Sequence, residues 1–319
     1  MLAALIIILA SYPALIGNAQ AYIGHDYEYH IRRIATIANE LRYGKFPVMY
    51  QSDASNGFGY ISHLLYGNII LYFPAILHLL GLPLTSSYNI FIILVNIITY
   101  VIAWYCSLKI FKEAKYAHFG AGLYLLAAYR LTNVYIRSAV GEYLAMAFLP
   151  LAFYGIYKII YADYSVRFRD TFPLILGVTG IIECHILSTE MAALFISVIF
   201  VLHWKAVKRH FAILFKALLC VLGLNAFFLV PFIETYQADL MVNATATSAN
   251  ISGFGVYLPQ LFNLFLSGIN WAQWDSTRDT MSLSIGGPLI IGAILFLIVC
   301  IGKGAGTFSK DEKKSIGEQ

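Results

Sequence analysis

The segment Gly24-His25-Asp26-Tyr27-Glu28-Tyr29-His30-Ile31-Arg32-Arg33 gathers carboxylates, imidazoles and guanidiniums into one short stretch. Such a set can move a proton and hold an anion. A carboxylate takes a proton from an attacking hydroxyl, or orients it, when a partner fixes its position. Asp26 is the candidate general base and His30, one turn on, its candidate partner. Arg32 or Arg33 could hold a phosphate through charge-assisted hydrogen bonds. On a helix, Asp26, His30 and Arg33 can share a face. A plainer reading stands beside this one: Asp26 is a favoured N-cap residue. Glu28 in a first turn suits the helix dipole. A metal site would need Asp26, Glu28, His25 or His30 to converge, which the sequence permits without specifying. A divalent cation is therefore carried only as an optional cofactor.

Three further polar groups follow. Arg137 and Glu142 close the stretch Tyr129–Glu142. Charge at membrane depth usually lines a cavity, so the two form either a structural ion pair or a substrate contact. Glu183-Cys184-His185, with Glu190, sits where two helices would turn; His185 or Glu190 could face the same cavity, or the group is a hydrogen-bonded turn. Trp271, Trp274, Asp275, Arg278 and Asp279 mix aromatics with charge, as a sugar site or an interfacial aromatic belt does.

The elements that must position these groups are apolar. Of 319 residues 60% are hydrophobic and 12% charged, against roughly 25% charged in a soluble domain. A water-soluble core cannot hide that much apolar surface. Several stretches approach the roughly 20 apolar residues that cross a bilayer. The net charge of +4 comes from Lys and Arg in short loops, a membrane-orientation pattern that gives no nucleic-acid footprint. Cys106, Cys184, Cys220 and Cys300 lie in apolar stretches and show neither metal nor disulfide spacing.

Leu2 to Ile16 reads as an uncleaved first membrane helix. Ala19-Gln20-Ala21 resembles a signal cleavage site, but no Lys or Arg precedes the apolar run. Further spans are expected at 88–110, 117–135, 141–160, two within 171–204, then 211–233 and 283–301. Placing the basic loops in the cytoplasm gives about eight crossings with both termini inside. Segments 18–86 and 234–281 are then external loops, 1–302 is one membrane domain and 303–319 a cytoplasmic polar tail. Residues 64–82 are assigned to the outer membrane surface or a re-entrant segment, which Asn68, Pro74 and His78 suit. From 27 to 43, Ile31, Ile34, Ala38 and Leu41 recur at helical spacing. Gly44 and Pro47 stop that helix, which is expected to lie along the interface. The fold class is an all-α polytopic membrane protein, with an amphipathic juxtamembrane helix in its first external loop.

The run Gly24–His30 leads into Arg33, Gly44 and Pro47, then Asn56-Gly57-Phe58-Gly59-Tyr60, Tyr66-Gly67 and Phe73-Pro74. Together with the stretch from Tyr129-Arg130 through Arg137, Glu142, Ala145 and Pro150, this resembles the GT-C superfamily of membrane glycosyltransferases. Within it, the chain is similar to the bacterial YfhO-like and "6-pyruvoyl-tetrahydropterin synthase-related" membrane proteins, a label that implies no pterin chemistry. The resemblance covers about the first half of the chain well, and the rest by hydropathy.

It implies a GT-C-like helical bundle in the cell membrane and transfer of a sugar from a polyprenyl-phosphate carrier to an extracytoplasmic acceptor. The acceptor would be a wall polymer, a lipid or a protein. The acidic residue of the first external loop is the usual catalytic group there, and it corresponds to Asp26. The expected mechanism is one inverting displacement. Asp26 and His30 are its catalytic candidates, and Glu28, Arg32, Arg33, Arg137, Glu142 and His185 its substrate-binding ones. The chain is short for that superfamily. A lipid-linked sugar flippase and a non-catalytic scaffold are the rival classes.

Overall fold

The computed structural model describes residues 1–17, 24–52, 54–161, 166–238, 261–262 and 284–302. Among them the secondary structure is helical, apart from one antiparallel bridge between Gln51 and Tyr60. In chain order the helices are α1 (Leu2–Leu15), α2 (Tyr27–Arg42), α3 (Ser62–Leu65), α4 (Tyr72–Leu79), α5 (Leu84–Phe111), α6 (Ala114–Leu125) and α7 (Ala128–Leu131). There follow α8 (Val140–Ile160), α9 (Phe172–Cys184), α10 (Ile186–Leu202), α11 (Trp204–Arg209), α12 (Phe211–Leu224), α13 (Ala226–Gln237) and α14 (Gly287–Gly302).

The expected apolar segments become helices, but several are broken. The helices α5 and α8 are each long and apolar enough to cross a bilayer, and the α12–α13 pair joins them if counted as one span. That pair bends by 72°, so 211–233 is not one straight helix. Asn225 sits at the bend, and its Nδ2 donates to the Val221 carbonyl at 2.6 Å and to Thr179 Oγ1 at 3.2 Å. The stretch 117–135 is also divided: α6 stops at Leu125, and a single wide turn, Thr132–Ile136, follows α7. Arg130 holds this break. It is 2% exposed and donates to the Leu125 carbonyl at 3.5 Å and to Thr99 Oγ1 at 3.2 Å. Carbonyls freed at a helix end need such donors where water is absent. Residues 171–204 form two helices, as expected, parted at His185. Within 64–82 the apolar helical stretch is only Ile69–Leu79, too short to cross, which suits a surface or re-entrant placement.

The predicted 27–43 helix is α2, nearly residue for residue. Ile34, Ile37 and Ala38 are fully buried, because α2 packs its apolar face on α4 and α5. That face is covered by protein, while Glu28, Arg32, Asn39 and Arg42 on the other side are exposed. Its end matches the glycine stop: Gly44 adopts φ +72°, its N–H donates to the Leu41 carbonyl, and the Lys45 N–H returns to Glu40.

Helix α8 is the hub. It packs most extensively on α9 and also against α5. At Gly155 and Gly177 a Cβ would strike the backbone of Leu174 and Ala152; small residues bring membrane helices this close. Helix α1 is tied to α5 by Asn96, whose Nδ2 donates to Ser11 Oγ at 3.0 Å and to the Ala10 carbonyl at 3.2 Å.

Candidate functional site

The site forms where four distant segments meet. The first is the start of α2. The His25 N–H donates to the Ile136 carbonyl at 3.3 Å and the Asp26 N–H to the Arg137 carbonyl at 2.9 Å. Gly24 permits this approach, since a Cβ there would strike Ser138 Oγ and the Arg137 backbone. Asp26 occupies the N-cap position of α2, yet its side chain makes no capping hydrogen bond. The half-buried carboxylate is therefore not consumed by the helix.

The second segment runs from α7 to the start of α8. Arg137 Nη1 donates to Asn133 Oδ1 at 2.6 Å and lies 2.7 Å from each carboxylate oxygen of Glu142. The Tyr129 hydroxyl donates to the same carboxylate at 3.1 Å. The ion pair expected as one alternative is thus formed, with side chains 25% and 18% exposed. It is reachable, and its charges are mutually engaged.

The third segment is the turn Tyr66-Gly67. Arg33 Nη2 reaches its carbonyls, at 3.1 Å for Gly67 and 3.4 Å for Tyr66. The Arg33 guanidinium carbon also stands 5.6 Å from the Tyr29 ring centre and 5.4 Å from that of Tyr66. Gly67 lies against the backbone of Glu183, which a Cβ would overlap. This seats the turn at the α9–α10 junction, the fourth segment. There the rings of Tyr66 and His185 are 6.1 Å apart. His185 Nδ1 meets Ser188 Oγ at 2.9 Å and accepts from the Ser188 N–H, capping α10.

Electrostatics ties the four together. Burial pushes the Tyr66 phenol pKa up; Arg33 opposes this, while Asp26 and Glu142 both add to it. Burial likewise raises Tyr29, to about 12. Both phenols are un-ionised donors at neutral pH. Burial, then the charges of Arg33 and His185, hold the pKa of His30 well below its usual value. His30 is neutral, and its Nδ1 faces Arg33 Nη1 at 3.4 Å.

The structure therefore brings Asp26, His30, Arg33, Arg137, Glu142 and His185 into one region, with altered roles for two of them. His30 is 3% exposed, and its side chain meets Arg33 and the Tyr29 ring, whereas the sequence suggested that it holds the Asp26 carboxylate. Arg33 is 2% exposed and lies behind the tyrosine rings, so it does not meet a ligand directly. Glu28 and Arg32 do not join the site. They face outward as an i,i+4 pair at 3.7 Å, 78% and 75% exposed. His25 and Glu190 are exposed as well. Trp271, Trp274, Asp275, Arg278 and Asp279 lie outside the described residues. Among the described residues no group of three His, Cys, Asp or Glu is placed to hold a metal ion, since Glu28 and His25 turn away from Asp26 and His30. Sequence reasoning gave Tyr66 no role and named it only in the Tyr66-Gly67 pair that the resemblance includes.

A cavity of about 520 Å³ opens from this region between α8 and α10. Glu142, Tyr129 and His185 line one end. Met146, Leu149 and Phe153 continue along one face of α8, and Met191, Phe195 and Ile199 along the facing side of α10. Both helices start at the polar end, so the lining passes from charged to apolar with depth.

The comparisons with known proteins leave the family open. No protein-family profile matches the chain, and no solved structure matches it. The chain is 25% identical, over 250 residues, to a protein of Lactococcus lactis subsp. cremoris (strain MG1363) described as uncharacterized. The alignment takes in 74% of this chain and 39% of that relative, so the chain spans about two-fifths of the relative's length.

Proposed function

We propose that this chain is a multi-pass membrane glycosyltransferase that moves a sugar from a polyprenyl-phosphate carrier to an extracytoplasmic acceptor. The observation that carries the reading is the uncommitted Asp26 carboxylate, fixed through its backbone to Arg137 and within electrostatic reach of the same tyrosine as Glu142. The cavity between α8 and α10 supports a lipid-borne substrate, because an amphiphile needs a polar mouth above an apolar groove.

In the proposed reaction Asp26 accepts the proton of the acceptor hydroxyl as its oxygen attacks the anomeric carbon. The bond from that carbon to the phosphate oxygen breaks on the opposite face, which inverts the centre. Arg137 is the cation placed to meet the leaving phosphate: it is partly exposed, while Arg33 is buried and Arg32 points away. A phosphate there would share Arg137 with Glu142. No step is assigned to a metal. The about eight crossings inferred from the basic loops, with both termini cytoplasmic and the site outside, belong to this reading.

The test is transfer from radiolabelled polyprenyl-phosphate sugars in membranes, wild type against Asp26→Asn at matched expression. Loss of a general base costs about 10²–10⁴-fold. Equal transfer by both proteins would remove Asp26 from the chemistry. Absence of transfer by wild type across the donor panel would favour a flippase or a scaffold.

A further inference from the structure

Among the described residues, the arginines in and beside the site are already engaged. Arg32 pairs with Glu28 on the outside, Arg137 pairs with Glu142, and Arg33 is spent on two carbonyls and two rings. The Tyr66 hydroxyl, by contrast, makes no hydrogen bond to a described residue, although its half-buried side chain lies within electrostatic reach of both Asp26 and Glu142. Its ring cannot drift. Arg33 stands over it, the Tyr29 ring meets it edge-on at 6.1 Å, and the next residue is wedged against Glu183.

From this arrangement we infer that Tyr66 contacts the ligand directly, donating a hydrogen bond to a hydroxyl of a neutral sugar, and that Arg33 is the positioning residue that holds Tyr66 in place. The inference rests on the glycosyltransferase reading for the nature of the ligand, and it narrows the substrate class. A sugar hydroxyl both accepts and donates. It can accept from the phenol and donate to Asp26 or Glu142, so a neutral hexose satisfies every group present. A uronic acid would bring a further anion beside the Asp26 and Glu142 carboxylates, where the one reachable cation among the described residues, Arg137, is already shared between Glu142 and the leaving phosphate, and would be repelled. The phenol serves only while protonated, which its raised pKa ensures at neutral pH.

The test measures binding apart from turnover. The purified full chain in lipid nanodiscs is titrated with farnesyl phosphate, with its glucosyl, galactosyl and mannosyl derivatives, and with its glucuronyl derivative. Wild type should bind at least one neutral glycosyl probe about tenfold more tightly than farnesyl phosphate itself, the scale of one good hydrogen bond in a buried site. The glucuronyl probe should show no such gain. Tyr66→Phe should abolish the gain while leaving the affinity for farnesyl phosphate unchanged. Arg33→Met should reduce the gain with Tyr66 still present, and Arg33→Lys should restore part of it. Circular dichroism and thermal unfolding of each variant separate these effects from misfolding.

The inference is overturned if Tyr66→Phe keeps the full sugar-dependent gain, if the glucuronyl probe binds as tightly as the neutral ones, or if wild type gains nothing from any sugar. Labelled donor added to the same preparations tests the parent reading separately. Wild type that binds neutral probes through Tyr66 but transfers nothing to any acceptor would end the transferase reading and leave the sugar contact standing.

Discussion

Two grooves flank α10, and they differ in one respect that decides their meaning. On one side, between α8 and α10, the apolar walls end at Glu142, Tyr129 and His185. On the other, α9, α10 and α12 enclose about 360 Å³ lined by residues such as Leu174, Phe200, Phe211 and Leu218. The hydroxyls of this second groove are already satisfied by their own helix: Thr189 donates to the His185 carbonyl at 3.0 Å and Ser197 to that of Ala193 at 2.8 Å. An apolar groove alone is what any lipid-facing helix leaves beside it. A groove whose mouth carries Glu142 of an engaged ion pair, the Tyr129 hydroxyl and a histidine can orient a substrate. The contrast teaches that a site in such a chain is marked by polar groups converging at a groove's mouth, not by the groove's size.

The comparison can be broken by filling each groove in turn. Under the proposed function, Met191→Trp should block the α8–α10 groove and lower sugar transfer by about a hundredfold at limiting donor, the loss of a few buried methylenes of binding. Leu218→Trp in the other groove should leave transfer within about twofold. Similar losses from both would erase the distinction. At the polar mouth, Glu142→Gln leaves Arg137 half-buried without its anion and should cost about 2 kcal/mol of stability, read from thermal unfolding in nanodiscs. Ser197→Ala, its counterpart in the apolar groove, should stay within about 0.5 kcal/mol.

A smaller effect per step comes from pH. His63, buried behind the site with neither ring nitrogen hydrogen-bonded to a described residue, has its pKa pushed down to about 3 by burial and then by Arg33. The folded state therefore keeps His63 neutral where the unfolded chain takes up a proton. Stability from this group is intact above about pH 6.5 and falls by about 1.4 kcal/mol per pH unit down to about pH 3. The buried His30 acts in the same direction. Unfolding midpoints measured from pH 7.5 to 5 should fall, and His63→Gln should flatten the slope. An unchanged slope in that variant would show that His63 is protonated in the folded protein.

Several parts of this structure were legible beforehand because they depend on neighbours in the chain. The α2 helix and its stop at Gly44 follow from local spacing and a residue that tolerates positive φ. The break between α9 and α10 follows from a polar triplet inside a long apolar run. Asp26 at the start of α2 was visible for the same reason. The outward turn of Glu28 and Arg32 was not anticipated, because it depends on which face of α2 meets α4 and α5. The interruption of 117–135 was hidden as well. Hydropathy counts Arg130 against a span, but cannot see that the Leu125 carbonyl and Thr99 receive it.

The sequence by itself determined the class of this protein. So apolar a chain with so few charges must bury its helices in lipid or in each other, and the order of polar and apolar segments sets where each helix starts and stops. Only the tertiary structure decided which charges share a space. Residues 26 and 33, residue 66, residues 137 and 142, and residue 185 come from four segments far apart in the chain, and their meeting depends on close approaches at Gly24 and Gly67. Only the folded chain shows that Arg33 is held behind two rings while the Tyr66 hydroxyl is left unpaired among the described residues. Local propensity acts within a turn or two of helix, whereas a side chain's electrostatic setting is made by whichever segments packing brings against it.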